Sequence, residues 1–537
     1  MDLVKDECKL ERAKSPEAAG VSSKSVIALL DEFKKRHLEL HSLIIVRHGK
    51  VAFECYCPPY NPDTPHAMHS FSKSVTSIAA GFAITEGLFS LDSKIHEYFP
   101  EYKLNKKALK YADKLTIRHI LTMTSGKSVN VAGNKATIDW TKDFLNSPFV
   151  NEPGEHFHYT NENGYMISAL IRKLTGLTLR EYLKPRLFEP LGIDVPIWET
   201  DKNGQEAGGW GLYLKSEDGA KFMQCCLNDG KFNGRQVIPE WWIKEATTLQ
   251  TENRKNLKRD SNVGYGYQFW MCRTPNTYAA RGMFCQQGIV FKDYDACFFY
   301  TASDSDEQKP MDIIYTYFPE AFKDGLQSDA ESSAILKEKI SALTVDNIPV
   351  SAKSPLEAKL QNSVLRFKKQ PFLRAVGMPT SLLPLTVTYM MTAKFGDIDY
   401  LTFDFKDGEI EMKWSEEGRF NQIPLGTDGT YRYGVIKLAS FDMTAVSYAY
   451  WESDNILKIV IRPLETASAR ILSLEFKNKS VKIIQGSTPN AQGIMENIIL
   501  LAKAFIGNSF LYYFAKKILR IAPKVLEPKI KAKIKTK

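Results

Sequence analysis

Ser70-Phe71-Ser72-Lys73 places a hydroxyl and an amine three residues apart at the front of an apolar run. On a helix, that spacing puts both side chains on one face. A serine alone is a weak nucleophile, and a neighbouring amine held neutral can take its proton. The chemistry to expect is attack on an ester or amide carbonyl. Ser70 is the only serine in the 537 residues with a lysine three places on. Ordinary residue frequencies produce such a tetrad about once or twice in a chain this long. An ordinary helix capped by Ser70 would explain the tetrad as well.

The residues after Ser70 must hold it in place. Phe71, Val75, Ile78, Ala79, Phe82 and Ala83 recur at three- and four-residue spacing, which predicts a helix with a buried face. Gly81 is tolerated inside it and Gly87 is a C-terminal stop. Ser70 then lies in the first turn, where unpaired N–H groups and the dipole favour an oxyanion. Other layouts fail. The last histidine is His158, so nothing after it closes a Ser…Asp…His order, and no Gly-x-Ser-x-Gly elbow occurs. Gly126-Lys127-Ser128 ends like a phosphate loop, but Leu121 occupies the first glycine position. The cysteines do not pair with histidines at zinc-site spacing, and no cofactor is expected.

A second cluster is Phe157-His158-Tyr159-Thr160-Asn161, after Pro153-Gly154-Glu155 and before a helix-patterned run from Tyr165 to Leu174 that stops at Gly176. A tyrosine beside a lysine ammonium is expected to have a lowered pKa and to act as base or relay. Asn161 can accept from the lysine and donate to a substrate carbonyl. A turn with a packed tyrosine accounts for this stretch equally well.

Taken together, the chain resembles the serine beta-lactamase-related hydrolases, in the class C-like branch that includes carboxylesterases and D-amino-acid peptidases. The resemblance runs from about Leu43 to Leu343. Its motifs are Ser70–Ser74 with Glu86-Gly87-Leu88, the segment Leu115–Gly126, Tyr159-Thr160-Asn161, Gly208–Leu212 and Gly264–Tyr267. It implies a catalytic set of Ser70, Lys73 and Tyr159, with Asn161 positioning substrate. The family's third motif, a cation, a small residue and a glycine on a strand, matches Arg281-Gly282-Met283-Phe284-Cys285-Gln286. By that match Met283 replaces the cation and Cys285 the glycine. The Gln286 backbone N–H is then the second oxyanion donor, opposite that of Ser70. Arg281, two residues before Met283 and on the same strand face, is the candidate to hold an anionic substrate group.

The expected reaction is two-step acyl transfer on a small ester, amide or peptide. The departures in the third motif keep open a catalytically weak, peptide-binding alternative. The expected fold is α+β: an antiparallel sheet with flanking helices and an all-helical insertion, then a C-terminal antiparallel β module and a basic helical tail. The boundaries read as residues 1–343, a linker at 344–382, the β module at 383–484 and the tail at 485–537. At 44% hydrophobic and 25% charged the composition is that of a globular protein. The polar Met1–Lys9 stretch and the unpatterned cysteines predict a cytoplasmic enzyme.

Charge is concentrated at the end. Residues 503–537 hold ten Lys or Arg against Glu527 alone, a sum of +9, which equals the net charge of the whole chain. With Ile498–Ala502 and Phe510–Phe514 nearby, residues 498–537 are expected to contact an anionic membrane surface. This keeps open a second alternative, a membrane-peripheral scaffold acting through its β module and tail. A body without basic excess argues against nucleic acid.

Overall fold

The computed structural model describes residues 8–127, 139–253, 259–369, 380–384, 397–416, 418–438, 441–493 and 527–536. The chain divides into two compact units, one of residues 1–302 with 307–343, the other of 303–306 with 344–537.

The first unit is organised by a seven-stranded sheet drawn from its two ends. Its strands are β1 (Glu11–Arg12), β2 (Glu39–Arg47), β3 (Lys50–Tyr56), β4 (Trp270–Met271), β5 (Thr277–Gly282), β6 (Gln286–Phe291) and β7 (Ala296–Ser303), in the order β1-β3-β2-β7-β6-β5-β4. His48 and Gly49, both at positive φ, make the two-residue turn between β2 and β3, as a hairpin of matching twist requires. The strand that follows the third-motif match begins at Gln286. Met283, Phe284 and Cys285 form the preceding turn, with Phe284 at φ 61 and Cys285 at φ 71. Arg281 and Gln286 therefore lie on adjacent antiparallel strands.

Every residue of β5, β6 and β7 is buried, because helices cover both faces. The helices are α1 (Ser23–Lys35), α2 (Ser72–Thr85), α3 (Glu162–Thr175), α4 (Ser216–Leu227), α5 (Gln308–Tyr317) and α6 (Ala330–Ser341). Glycines let α4 press close to the sheet: a Cβ on Gly288 would meet Met223 at 2.4 Å, and one on Gly219 would meet Phe299 at 2.1 Å.

Helix α2 is buried from Ser72 to Ala83, which an amphipathic reading does not capture. Its polar residues face carbonyls rather than water. Ser74 Oγ donates to the Gln268 carbonyl at 2.7 Å, Thr76 Oγ1 to Gly208 at 2.7 Å and Ser77 Oγ to Tyr267 at 2.6 Å. A buried hydroxyl with a partner avoids the desolvation cost of an orphaned one. Gly81 sits against the Trp242 indole, where a Cβ would lie 2.3 Å from Cγ. Gly81→Ala is expected to destabilise the protein by about 1–3 kcal/mol, although alanine is the better helix former by about 1 kcal/mol. Denaturant unfolding checks this; equal or greater stability would show that Trp242 yields.

The second unit is a β-barrel of β8 (Ser363–Phe367), β9 (Ile398–Lys406), β10 (Glu409–Glu416), β11 (Arg419–Gly426), β12 (Arg432–Leu438), β13 (Phe441–Ser453), β14 (Ile456–Pro463), β15 (Ala469–Lys477), β16 (Ser480–Thr488) and β17 (Ile530–Thr536). The order is β11-β10-β9-β8-β17-β16-β15-β14-β13-β12, and Gly426 pairs with Tyr448 to join β11 to β13. Two expected boundaries change. The stretch read as a linker contributes β8, and the end of the expected helical tail is strand β17, between β8 and β16. In β17, Ile530 and Ala532 are buried while Lys531, Lys533 and Lys535 are exposed, a period of two that belongs to a strand. The apolar runs Ile498–Ala502 and Phe510–Phe514 lie outside the described residues. Among the described residues, no helix is long and apolar enough to cross a membrane.

Candidate active site

Ser70 stands in a single 3₁₀ turn, His69–Phe71, directly ahead of α2. His69, the residue before it, is held at φ 48. A non-glycine residue there is strained by about 1–3 kcal/mol and persists only where surrounding contacts fix it. Those contacts are visible. Ser72 Oγ donates to the His69 carbonyl at 2.6 Å and accepts from Leu212 N at 3.2 Å, and Met68 N donates to the Leu212 carbonyl at 2.8 Å. The Gly208–Leu212 segment thus splints the turn that presents Ser70.

Lys73, 1% exposed, lies one turn on. Its Nζ is 2.9 Å from Ser70 Oγ, 2.8 Å from Asn161 Oδ1 and 2.6 Å from the Gly209 carbonyl oxygen. The last two atoms only accept. A neutral amine has two N–H groups to give them, so its lone pair is left for the Ser70 hydroxyl. Burial pushes the Lys73 pKa down to about 7, against the opposing pull of the buried Glu162 carboxylate. Half of the amine is then neutral near physiological pH.

Three glycines make this approach possible. A Cβ on Gly209 would meet the Asn161 carbonyl oxygen at 2.3 Å, one on Gly164 would meet Gly209 Cα at 2.6 Å, and one on Gly208 would meet the Gly164 oxygen at 2.4 Å. Only without those side chains does the Gly208–Trp210 backbone reach the start of α3 and bring its carbonyl to Lys73. Asn161 is the N-cap residue of α3, and Gly176 ends that helix at φ 73.

The Tyr159 phenol lies near Ser70, and its ring centroid is 4.8 Å from Lys73 Nζ. The expected lowering of its pKa does not occur. Burial raises it well above the usual phenol value, outweighing the opposing effect of Ser70. Tyr159 is therefore a neutral phenol at physiological pH, suited to relay or donate a proton rather than to act as a standing base. The Leu115–Gly126 segment places it, His158 N donating to the Met123 carbonyl at 2.7 Å.

Trp270, which motif reasoning passes over, stacks on Tyr159 at 5.3 Å and 29°. Tyr265 meets Trp270 edge-on at 4.7 Å, and Phe157 packs on both. The recurring aromatics of Gly264–Trp270 were the available signal. Arg281 packs against this wall, its guanidinium 5.7 Å from the Trp270 centroid. It is 6% exposed, its Nη2 lies 3.9 Å from Glu307, and Nε and Nη1 have no hydrogen-bond partner.

The end of β5 reaches the Ser70 turn, since a Cβ on Gly282 would strike the Met68 carbonyl oxygen at 2.1 Å. Gln286 pairs with Gly282 across the hairpin. Its side-chain amide donates to the Phe284 and Ala302 carbonyls at 2.8 and 2.7 Å, so that side chain is committed to the fold. Cys285, at the position where the resemblance calls for glycine, is buried at positive φ, the backbone state that favours glycine. The structure thus gathers Ser70, Lys73, Tyr159 and Asn161, sets Arg281 against Trp270 and puts Gln286 one strand beyond Gly282.

Among curated proteins, acyltransferase mokF of Monascus pilosus is 29% identical over 269 residues, covering 39% of this chain and 64% of its own. An uncharacterized protein of Alkalihalophilus pseudofirmus is 24% identical over 245 residues, 42% of this chain and 66% of its own. The chain spans less than two thirds of either. Among solved structures, the D-amino acid amidase of Ochrobactrum anthropi SV3 superposes with a TM-score of 0.44 at 16% identity, over 56% of this chain and 99% of that one. The Beta-lactamase family model matches residues 26–317, more than half of the 537 residues, and the chain belongs to that family.

Proposed function

We propose that this chain is a serine hydrolase that cleaves an ester or amide bond through an acyl-Ser70 intermediate. The observation that carries the reading is the 2.9 Å Lys73–Ser70 contact, with the amine's other two hydrogen bonds committed to fixed acceptors. Neutral Lys73 takes the Ser70 proton as Oγ attacks the carbonyl carbon. Backbone N–H groups, that of Ser70 and a partner at the β5–β6 hairpin where Gln286 is the sequence candidate, receive the oxyanion. The Lys73 proton passes through the Tyr159 phenol to the leaving group, and water then attacks the acyl-serine. Placed proton transfer is typically worth about 10²- to 10⁴-fold and one oxyanion donor about 10²- to 10³-fold. The test is rapid-mix hydrolysis of a short-chain p-nitrophenyl ester with intact-mass readout. An acyl adduct on the Ser70 peptide followed by turnover is expected; turnover with no adduct and no burst at any pH would overturn the covalent route.

A second acceptor is supported by the aromatic wall beside Tyr159 and by acyltransferase mokF. An alcohol lying on Trp270 would take the acyl group in place of water, so adding a hydrophobic alcohol should divert product from acid to ester.

Arg281 is proposed to favour acyl substrates that carry an anionic group, on the strength of its two unpartnered buried N–H positions. Arg281→Ala is expected to lower kcat/KM for an anionic ester about 10-fold or more while a neutral analogue changes little. Equal losses on both substrates would remove Arg281 from recognition.

A further inference from the structure

The outer wall of the barrel carries a basic surface that acyl transfer does not use. Strand β17 presents Lys531, Lys533 and Lys535 on its exposed side. The β15–β16 turn adds Lys477 and Lys479, with Asn478 at φ 44. These residues line a shallow cleft of about 490 Å³ made of Lys477, Asn478, Lys479, Ser480, Lys533, Ile534 and Lys535. Neighbouring strands add charge of the same sign, with Glu475 as an acidic partner. Exposed Arg366 on β8 stands directly opposite Lys533, and Lys482 on β16 stands opposite Lys531. Glu475 is also on this wall, and Lys482 engages it at 2.9 Å.

Like charges in directly opposed sheet positions destabilise the pair. A row of them kept on one wall calls for an external counter-charge, and the basic residues lie on the exposed side of the barrel strands. We infer that this wall, around Lys477, Lys479, Lys531, Lys533, Lys535 and Arg366, docks on an anionic lipid bilayer. Two features favour a bilayer over a nucleic acid. The charges spread over the exposed side of β17, the β15–β16 turn and β8, and the cleft between them is shallow. In the sequence, the segment joining β16 to β17 carries Ile498–Ala502 and Phe510–Phe514 among further lysines, and such apolar residues serve at a lipid interface. The site comprises only the strand and turn residues, and binding follows their charge.

The test is flotation of the full chain with phosphatidylcholine vesicles, with and without phosphatidylserine. Wild type should partition onto the anionic vesicles at low salt, leave them near 1 M salt, where screening acts over ~3 Å, and ignore neutral ones. Lys477→Glu/Lys533→Glu/Lys535→Glu should cut partitioning on the order of 100-fold and leave ester turnover intact. The triple glutamine variant repeats the test should charge reversal disturb folding. Three results would each overturn the inference: wild type stays in solution with anionic vesicles, both triple variants float like wild type, or short RNA binds tightly while vesicles do not.

Discussion

Ser70→Ala is expected to lower kcat for p-nitrophenyl ester hydrolysis roughly 10⁴- to 10⁶-fold, the range seen when a serine nucleophile is removed from an intact site. In the proposed mechanism the hydroxyl has a direct role and little structural one. It contacts Lys73, while the turn is held by Ser72 and the Leu212 backbone. The variant should therefore unfold at nearly the wild-type temperature and lose labelling by a serine-directed fluorophosphonate. A variant that turns over at the wild-type rate would place the nucleophile elsewhere.

Lys73→Met is expected to lower kcat/KM about 10²- to 10⁴-fold, because it removes the base and leaves the nucleophile. Lys73→Arg should fare no better, since a guanidinium does not deprotonate in proteins. The wild-type pH profile follows from the same group. The base acts when neutral, so kcat/KM should rise with pH through about 7, the value to which burial brings Lys73, and then level off. In Lys73→Met that limb should vanish.

Stability has its own sign. The folded pKa of Lys73 lies below the unfolded value of 10.5, so the unfolded chain binds more protons between about 7 and 10.5. Stability of the wild type should then rise with pH across that window relative to Lys73→Met, by up to about 1.4 kcal/mol per pH unit. Parallel stability curves for the two proteins would mean that Lys73 is not held neutral.

Much of the site was legible because it rests on short-range rules. Ser70 and Lys73 are joined by helical spacing, and the stops at Gly87 and Gly176, both at positive φ, follow from glycine's freedom on the left-handed side. Asn161 and Tyr159 were legible as a motif, but their meeting with Lys73 spans 88 residues in the case of Asn161. The sign of the Tyr159 shift was not legible. Sequence proximity to a lysine argues for a lowered pKa, whereas enclosure by Trp270, Tyr265 and Phe157 raises it, and desolvation is a property of the packed state.

By itself the sequence determined that Ser70 and Lys73 share one helix face, the α+β class, the change to short alternating strands after residue 383 and the excess of positive charge at the end. Each of these depends on residue type and local period. Only the tertiary structure decided that α2 is buried on every side, that the Gly209 carbonyl completes the Lys73 contacts, that Trp270 walls the site and that β17 closes the barrel wall with its lysines outward. Each of these depends on which surfaces exclude water and which backbones approach without a Cβ between them. Such facts arise from pairs of distant segments, and no local pattern encodes them.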